Sequence, residues 1–287
     1  MVFELLSLLW APFLMCLVLT GIHAYLGVHV LAREVVFVDI ALAQIAALGA
    51  TAAFLVGYEL DTWESYACGL AATVAGALFL ALTRTRERQV SQEAVIGVVY
   101  AVSSAAAVLL ADRAPHGVEH VRAMLVGNLL AVRPPEVLKV AALYAVVGLM
   151  HWLCRRPFFL ISTNPDAAFA EGWQVRLWDF VFYASFGVVV TSSVRVGGVL
   201  LVFSYLIVPA LAGVALGRTV RAKLLVGWAF GTLVSVFCVV ASAAFDLPTG
   251  ATVVCAFGVT LLVFWVLARL FGWRPVSGRD VLAPHVP

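Results

Sequence analysis

Ala94-Val-Ile-Gly-Val-Val-Tyr-Ala-Val-Ser-Ser-Ala-Ala-Ala-Val-Leu-Leu-Ala111 runs from Glu93 to Asp112 without a charged residue. A helix over such a run is about 27 Å long at 1.5 Å per residue. That length suits a hydrocarbon layer of about 30 Å. No face of the run is polar, as a helix at the surface of a soluble domain would require. Similar apolar runs bounded by charges recur along the chain, near 5–31, 35–57, 65–83, 93–111, 137–154, 177–195, 197–217, 224–244 and 250–271. Their repetition predicts an all-α, polytopic membrane protein of about nine spans, eight at the fewest. Between the fourth and fifth lies Val121 to Val132, apolar but too short to cross, which reads as a half-helix or re-entrant piece.

Composition agrees with the runs. The chain has 287 residues, 63% hydrophobic and only 12% charged, against about 25% charged in soluble domains. Charges this scarce do not cover a folded surface in water, so a soluble enzyme is excluded. Nine spans of about 20 residues leave roughly 100 for loops and ends, so one transmembrane domain over 1–287 is expected, with a polar tail at 273–287. The basic residues are dispersed among loops and form no stripe, which argues against a nucleic-acid partner. The five cysteines lie in or beside apolar runs without C-x-x-C spacing and read as packed, reduced thiols. Glu4 and the absence of Lys or Arg before the first run make a poor signal peptide and a good first span.

Basic residues also give an orientation. With the N-terminus outside, 13 of the 18 Lys and Arg fall on the inner side and 5 on the outer. N-out and C-in is therefore the expected topology, and a bacterial inner membrane the expected location. The eight outer carboxylates leave that side with a net charge of −3, which weakly favours an approaching cation. The small residues of Gly69-Leu-Ala-Ala-Thr-Val-Ala-Gly76 permit close helix approach and read as ordinary packing within one subunit.

An ionisable group inside a span is a functional candidate by default. Asp39 stands in Val35-Val-Phe-Val-Asp39-Ile-Ala-Leu-Ala-Gln44-Ile-Ala-Ala-Leu-Gly49. Its carboxylate and the Gln44 amide are oxygen donors able to ligate a cation or face a water-filled path. Positions five apart diverge by about 140° on a regular helix, so one ion takes both only if the helix is irregular or a second helix intervenes. The alternative is that Asp39 lies near the inner interface, paired with Arg33 or a backbone group. His23 and His29, six apart on different helix faces, read as isolated hydrogen-bonded imidazoles, and His151 beside Trp152 reads as an interface residue. The outer loop Asp112-Arg-Ala-Pro-His116-Gly-Val-Glu119-His120 gathers ligands that suit a transition metal. Pro115 and Gly117 break any helix aligning them, so a solvated loop competes with metal capture by Asp112, His116, Glu119 and His120.

Catalytic signatures are absent: there is no H-E-x-x-H, G-x-S-x-G or G-x-x-x-x-G-K-[ST]. The chain is expected to be a transport protein and not an enzyme, and any ATP would be hydrolysed by another polypeptide. A secondary transporter or channel for a cation or small solute is the competing class, although one carboxylate well inside a span is thin for an ion relay.

The most informative polar stretch follows the fifth span: Ser162-Thr-Asn164-Pro165-Asp166-Ala-Ala168-Phe169-Ala-Glu-Gly172. Asn164 can cap a helix, Pro165 suits its first position, Asp166 favours the positive end and Gly172 supplies the stop. A short interfacial helix of one and a half to two turns is predicted, serving as lid, spacer or docking piece. Composition does not choose among these.

At this helix the chain resembles the permease subunits of the ABC-3 family, membrane components of ATP-driven importers for zinc, manganese and iron. The likeness continues through Gly127-Asn128-Leu-Leu-Ala-Val132, through Val196-Gly197-Gly198-Val-Leu-Leu-Val-Phe-Ser-Tyr-Leu-Ile-Val-Pro209-Ala210, and through Asp246-Leu-Pro248-Thr-Gly250. What the resemblance implies is a type II ABC importer permease-like bundle acting as a homodimer. A second copy of the chain would help line the path, an extracytoplasmic solute-binding protein would deliver the ion, and ABC ATPase subunits would drive the cycle. No cofactor would be held permanently; the transported divalent metal would bind transiently. Asn164, Pro165, Asp166, Ala168, Phe169 and Gly172 would form the ATPase-coupling helix. The second span departs from the family's Asp-x-Leu-Ser/Ala-His. Leu42-Ala43-Gln44 puts Gln44 at the histidine and Asp39 one residue early. An amide is a far poorer zinc ligand than imidazole, so the expected site is transient, or suited to another metal or substrate.

Overall fold

The structure is a computed structural model that describes residues 2–59, 62–84, 91–113, 127 and 129–270. Every long element among them is a helix: α1 (Val2–Ala32), α2 (Val38–Leu55), α3 (Trp63–Leu82), α4 (Gln92–Ala111), α5 (Pro134–Leu153), the short α6 (Arg155–Thr163) and α7 (Pro165–Ala170), then α8 (Val175–Leu216), α9 (Val220–Phe245) and α10 (Thr249–Leu270). Eight of these are long and apolar enough to cross a membrane. The all-helical membrane bundle expected from the apolar runs is therefore present.

Nine runs and eight helices are reconciled at Gly198. Helix α8 holds 42 residues, about 63 Å of helix and twice the thickness of a bilayer core. Gly198 interrupts it with φ 76° and ψ 163°, a conformation essentially reserved for glycine. The segments on either side, 175–197 and 199–216, correspond to the sixth and seventh runs, joined by a break and not by a loop. Of the expected half-helix or re-entrant piece over 121–132, Leu129–Ala131 form a single 3-10 turn. Its residues 121–126 and 128 lie outside the described residues, as does the tail 273–287.

Short polar side chains start the spans. Thr62, Ser91 and Thr219 accept from the backbone N–H three residues on, at 3.4, 3.2 and 3.2 Å, as N-caps do.

The chain forms two compact units, each woven from separated segments. One comprises 1–33, 126–150 and 196–287. Within it α1 packs on α9, and the Trp228 indole donates to the Gly21 carbonyl at 3.0 Å. The Tyr205 and Ser235 hydroxyls meet at 2.7 Å, and Phe257 sets its ring edge-on to Tyr205. Gly127 (φ +65°) and Gly197 lie so close that a Cβ on Gly127 would overlap the Gly197 carbonyl carbon. Two of the motif segments thus meet backbone to backbone.

The other unit comprises 34–125 and 151–195, with α2 packed between α3 and α4. The approach is close because the facing residues are small. A Cβ on Gly49 would come within 2.7 Å of Ala72 Cβ, and one on Gly69 within 3.0 Å of the Ala46 carbonyl oxygen. The small residues of 69–76 therefore serve packing inside the chain, where van der Waals fit replaces the hydrophobic drive lost in lipid. Thr73 and Thr191 join their hydroxyls at 3.2 Å. The Gln92 amide donates to the Leu80 carbonyl at 2.9 Å.

Candidate functional site

The stretch after α5 contains two short helices where the sequence suggested one. In α6 the buried Pro157, Phe158, Ile161 and Ser162 share an inward face, and proline is tolerated in a first turn where its missing N–H has no partner to lose. Asn164 then performs two jobs. Its backbone N–H closes α6 on the Leu160 carbonyl at 2.8 Å, and its Oδ1 accepts from Ala167 N at 2.9 Å to open α7. Pro165 occupies the first helical position, and Gly172 turns the chain away with φ +79°.

Beneath α7 a small core holds it in place. Ala168 packs with Ile161 of α6 and Val175 of α8, with Phe169, Trp173 and Trp178 around them. Ala168 is fully buried and Phe169 half-buried, whereas Asn164, Asp166, Glu171 and Gly172 are exposed. The expected coupling residues therefore divide into anchors and a polar outward face. Beside them an open cleft of about 490 Å³ is lined by Arg84, Phe169, Trp173, Gln174 and Arg176. The Arg84 guanidinium reaches Asp179 at 3.0 Å, fixing the end of α3 to the start of α8. Asp179 is completely buried and escaped the sequence reading, because a charge at the edge of an apolar run reads as its boundary.

Asp39 and Gln44 both lie on α2, which is helical without interruption from Val38 to Leu55. The irregularity that would bring them to one ion is absent. Asp39 is 2% exposed, and its Oδ1 has no hydrogen-bond partner. Gln44 belongs with Ile40 and Leu48 to the half-open stripe of α2, spaced by four and so on one face. Across from Asp39, Glu93 opens α4, and its Oε1 accepts from Phe37 N at 3.1 Å. Glu93 was missed in sequence for the same reason as Asp179.

Of the outer-loop candidates, Asp112 is the exposed C-cap of α4, its N–H bonded to the Val108 carbonyl. His116, Glu119 and His120 lie outside the described residues. His23 is buried, with Nδ1 2.8 Å from the Leu19 carbonyl and its ring edge-on to Tyr144. His29 sets its ring edge-on to Tyr25. His151 corrects the expectation of an interface residue. It is 1% exposed, with Nε2 2.9 Å from Ser185 Oγ and its ring stacked on Phe158. The five cysteines are free thiols.

The sequence that builds these parts, a braced short helix following five spans and a Gly-Gly break inside α8, falls within a family match covering nearly the whole chain. The ABC 3 transport family aligns with residues 6–268. The chain belongs to that family. Among relatives of this ABC 3 protein, the "Probable iron transport system membrane protein" of Haemophilus influenzae is 27% identical over 47% of the chain and 50% of its own length. The "Manganese import system permease protein ScaB" of Streptococcus pneumoniae is 23% identical over 56% and 57%. The chain thus spans about half the length of these two. The "Manganese transport system membrane protein MntC" of Listeria monocytogenes is 23% identical over 73% of the chain and 74% of its own length. Among solved structures, PsaBC from Streptococcus pneumoniae in complex with Fab superposes with a TM-score of 0.75 over 92% of the chain and 95% of its own, at 17% identity. At that identity the likeness is one of fold.

Proposed function

We propose that this chain is the membrane-spanning permease of an ATP-driven importer for a divalent metal ion, working as a homodimer in a bacterial inner membrane with its N-terminus outside and its C-terminus in the cytoplasm. A separate ABC ATPase supplies the energy and an extracytoplasmic solute-binding protein delivers the ion. Family membership and the manganese and iron named for its relatives support this reading.

The observation that carries it is the bracing of α7. A helix of six residues is far too short to persist in water alone. Here Asn164 caps it, Gly172 ends it and the buried Ala168 pins it to α6 and α8, so it moves as one body with the membrane helices. That is the property required of an element that passes ATPase motion into the bilayer. Ala168 and Phe169 anchor the helix, while Asn164, Asp166 and Gly172 lie on the side offered to the ATPase. Gln44, on the half-open stripe of α2, lines the path for the ion, which binds only in passing.

The test is transport in proteoliposomes that combine this chain with an ABC ATPase and a solute-binding protein from the same organism. ATP-dependent manganese uptake that needs all three proteins is expected. Uptake by this chain alone, driven by an ion gradient, would make it a secondary transporter and overturn the reading.

A further inference from the structure

We propose that the cleft beside α7 holds the phosphate headgroup of an anionic phospholipid at the surface of the membrane.

The walls of the cleft are of two chemical kinds. Arg84, Gln174 and Arg176 supply N–H donors, and Phe169, Trp173 and Leu177 supply apolar surface. No carboxylate is among the described residues that line it. Asp179 balances the charge of Arg84 through Nε at 3.0 Å, while the terminal nitrogens of that guanidinium carry further donors. Behind the cleft, Arg156 sets its guanidinium 6.0 Å from the centre of the Trp173 ring, and Glu171 accepts from the Trp173 indole at 3.1 Å, so these two charges offset each other. Arg176 is exposed and has no ion pair among the described residues. The cleft is left with an unbalanced positive charge and calls for an anion.

Its position selects the kind of anion. Arg84 follows the end of α3 and Arg176 lies in the first turn of α8, two helices long and apolar enough to cross a membrane. The cleft therefore sits where spans meet water. Leu82 and Leu177, close in sequence to the two arginines, are more than half exposed. A small anion from solution would leave those leucines bare. A phospholipid matches both halves, with phosphate on the guanidinium groups and acyl chains on the leucines. Arginine pairs with phosphate through parallel N–H bonds, and basic pockets between spans at the membrane surface suit anionic headgroups. The volume of about 490 Å³ is that of a small-ligand pocket, which runs from about 300 to 1,000 Å³. The competing occupant is an acidic segment of the ATPase. Against it, the exposed Asn164, Asp166 and Gly172 line no part of the cleft, and the wall that α7 contributes is Phe169, on its anchored side.

The experiment is native mass spectrometry of the full chain in mild detergent, with phosphatidylglycerol or phosphatidylcholine added. A phosphatidylglycerol should stay bound where phosphatidylcholine is stripped, and Arg176→Gln should weaken its retention about tenfold or more. Arg176 is the residue to change, because replacing Arg84 would strand Asp179. Arg269 lies 4.5 Å from the centre of the Trp265 ring and is no part of the cleft, so Arg269→Gln should leave retention as it is. Equal retention of the two lipids, or equal losses in Arg176→Gln and Arg269→Gln, would overturn the proposal. A measurement on unmutated protein guards against misfolded variants: phosphatidylglycerol should raise the melting temperature and inorganic phosphate should not. The same rise with inorganic phosphate would mean an adventitious ion only and would overturn the lipid site. Loss of the bound lipid when the ATPase assembles would make the cleft a protein seat, with the same consequence.

Discussion

Asp179, with no exposed surface, lies 3.0 Å from the Arg84 guanidinium, so the last residue of the α3 segment is tied to the first turn of α8 by a buried charge pair. Arg84 also lines the cleft beside α7, together with Phe169 and Trp173. Removing one partner strands the other in a poor dielectric, at a cost of about 3 kcal/mol or more, whereas replacing both with apolar groups is often neutral. Asp179→Ala should therefore lower the melting temperature in detergent markedly, and Arg84→Leu with Asp179→Leu should recover most of the loss. Equal melting of the single variant and the wild type would show that the pair contributes nothing to stability.

Asn164 and Gly172 bracket α7 by local chemistry alone. Asn164→Ala removes the acceptor for Ala167 N and should cost about 1 kcal/mol of helix stability. Gly172 has φ +79° and nothing within 4 Å of an added Cβ. Gly172→Leu therefore meets no clash, only the penalty of a left-handed residue, about 1–2 kcal/mol. Pro165→Ala with Gly172→Leu should leave the spans inserted and abolish ATPase association, read by co-purification. Retained stimulation of ATP hydrolysis by loaded binding protein would show that α7 is not the coupling element.

What could be read in advance follows from the range of the forces involved. The spans were legible because lipid demands an apolar run of fixed length, and Asn164 and Gly172 because capping acts within four residues. Glu93 and Asp179 were not. A hydropathy reading uses charges as boundary marks, and only contacts to Phe37 and Arg84, distant in sequence, show that these two point inward. Helix α6 was hidden by Arg155-Arg156-Pro157, which reads as loop until Phe158 and Ile161 are seen buried on one face. The separation of Asp39 from Gln44 was anticipated as a geometric difficulty, and the regular α2 leaves it standing.

Gly198 and Gly127 should be intolerant for different reasons. Gly198→Ala forces a side chain onto φ 76°, ψ 163°, a strain of about 1–3 kcal/mol. Gly127→Ala drives a methyl group into the Gly197 carbonyl, so backbone must separate. Both variants should lose yield of monodisperse protein on size exclusion, with Gly127→Ala the worse. A Gly127→Ala chain that purifies and melts like the wild type would mean the two segments are not in contact.

The stripe of Ile40, Gln44 and Leu48 allows a constructive test of the path. Asp39→Ala and Gln44→Ala should each reduce uptake while the complex stays intact, and their effects should multiply, because the regular α2 sets them about 140° apart. Gln44→His alone should not create a strong zinc site, since the imidazole would find no carboxylate on its own face. Ile40→Asp with Gln44→His puts a carboxylate and an imidazole four residues apart on the half-open stripe, a spacing that lets both reach one ion. The double variant should bind zinc at least tenfold more tightly than Gln44→His, measured by competition with a zinc-sensitive dye. Equal affinities would mean that this stripe does not face a space a metal ion can enter, and Gln44 would lose its place on the path.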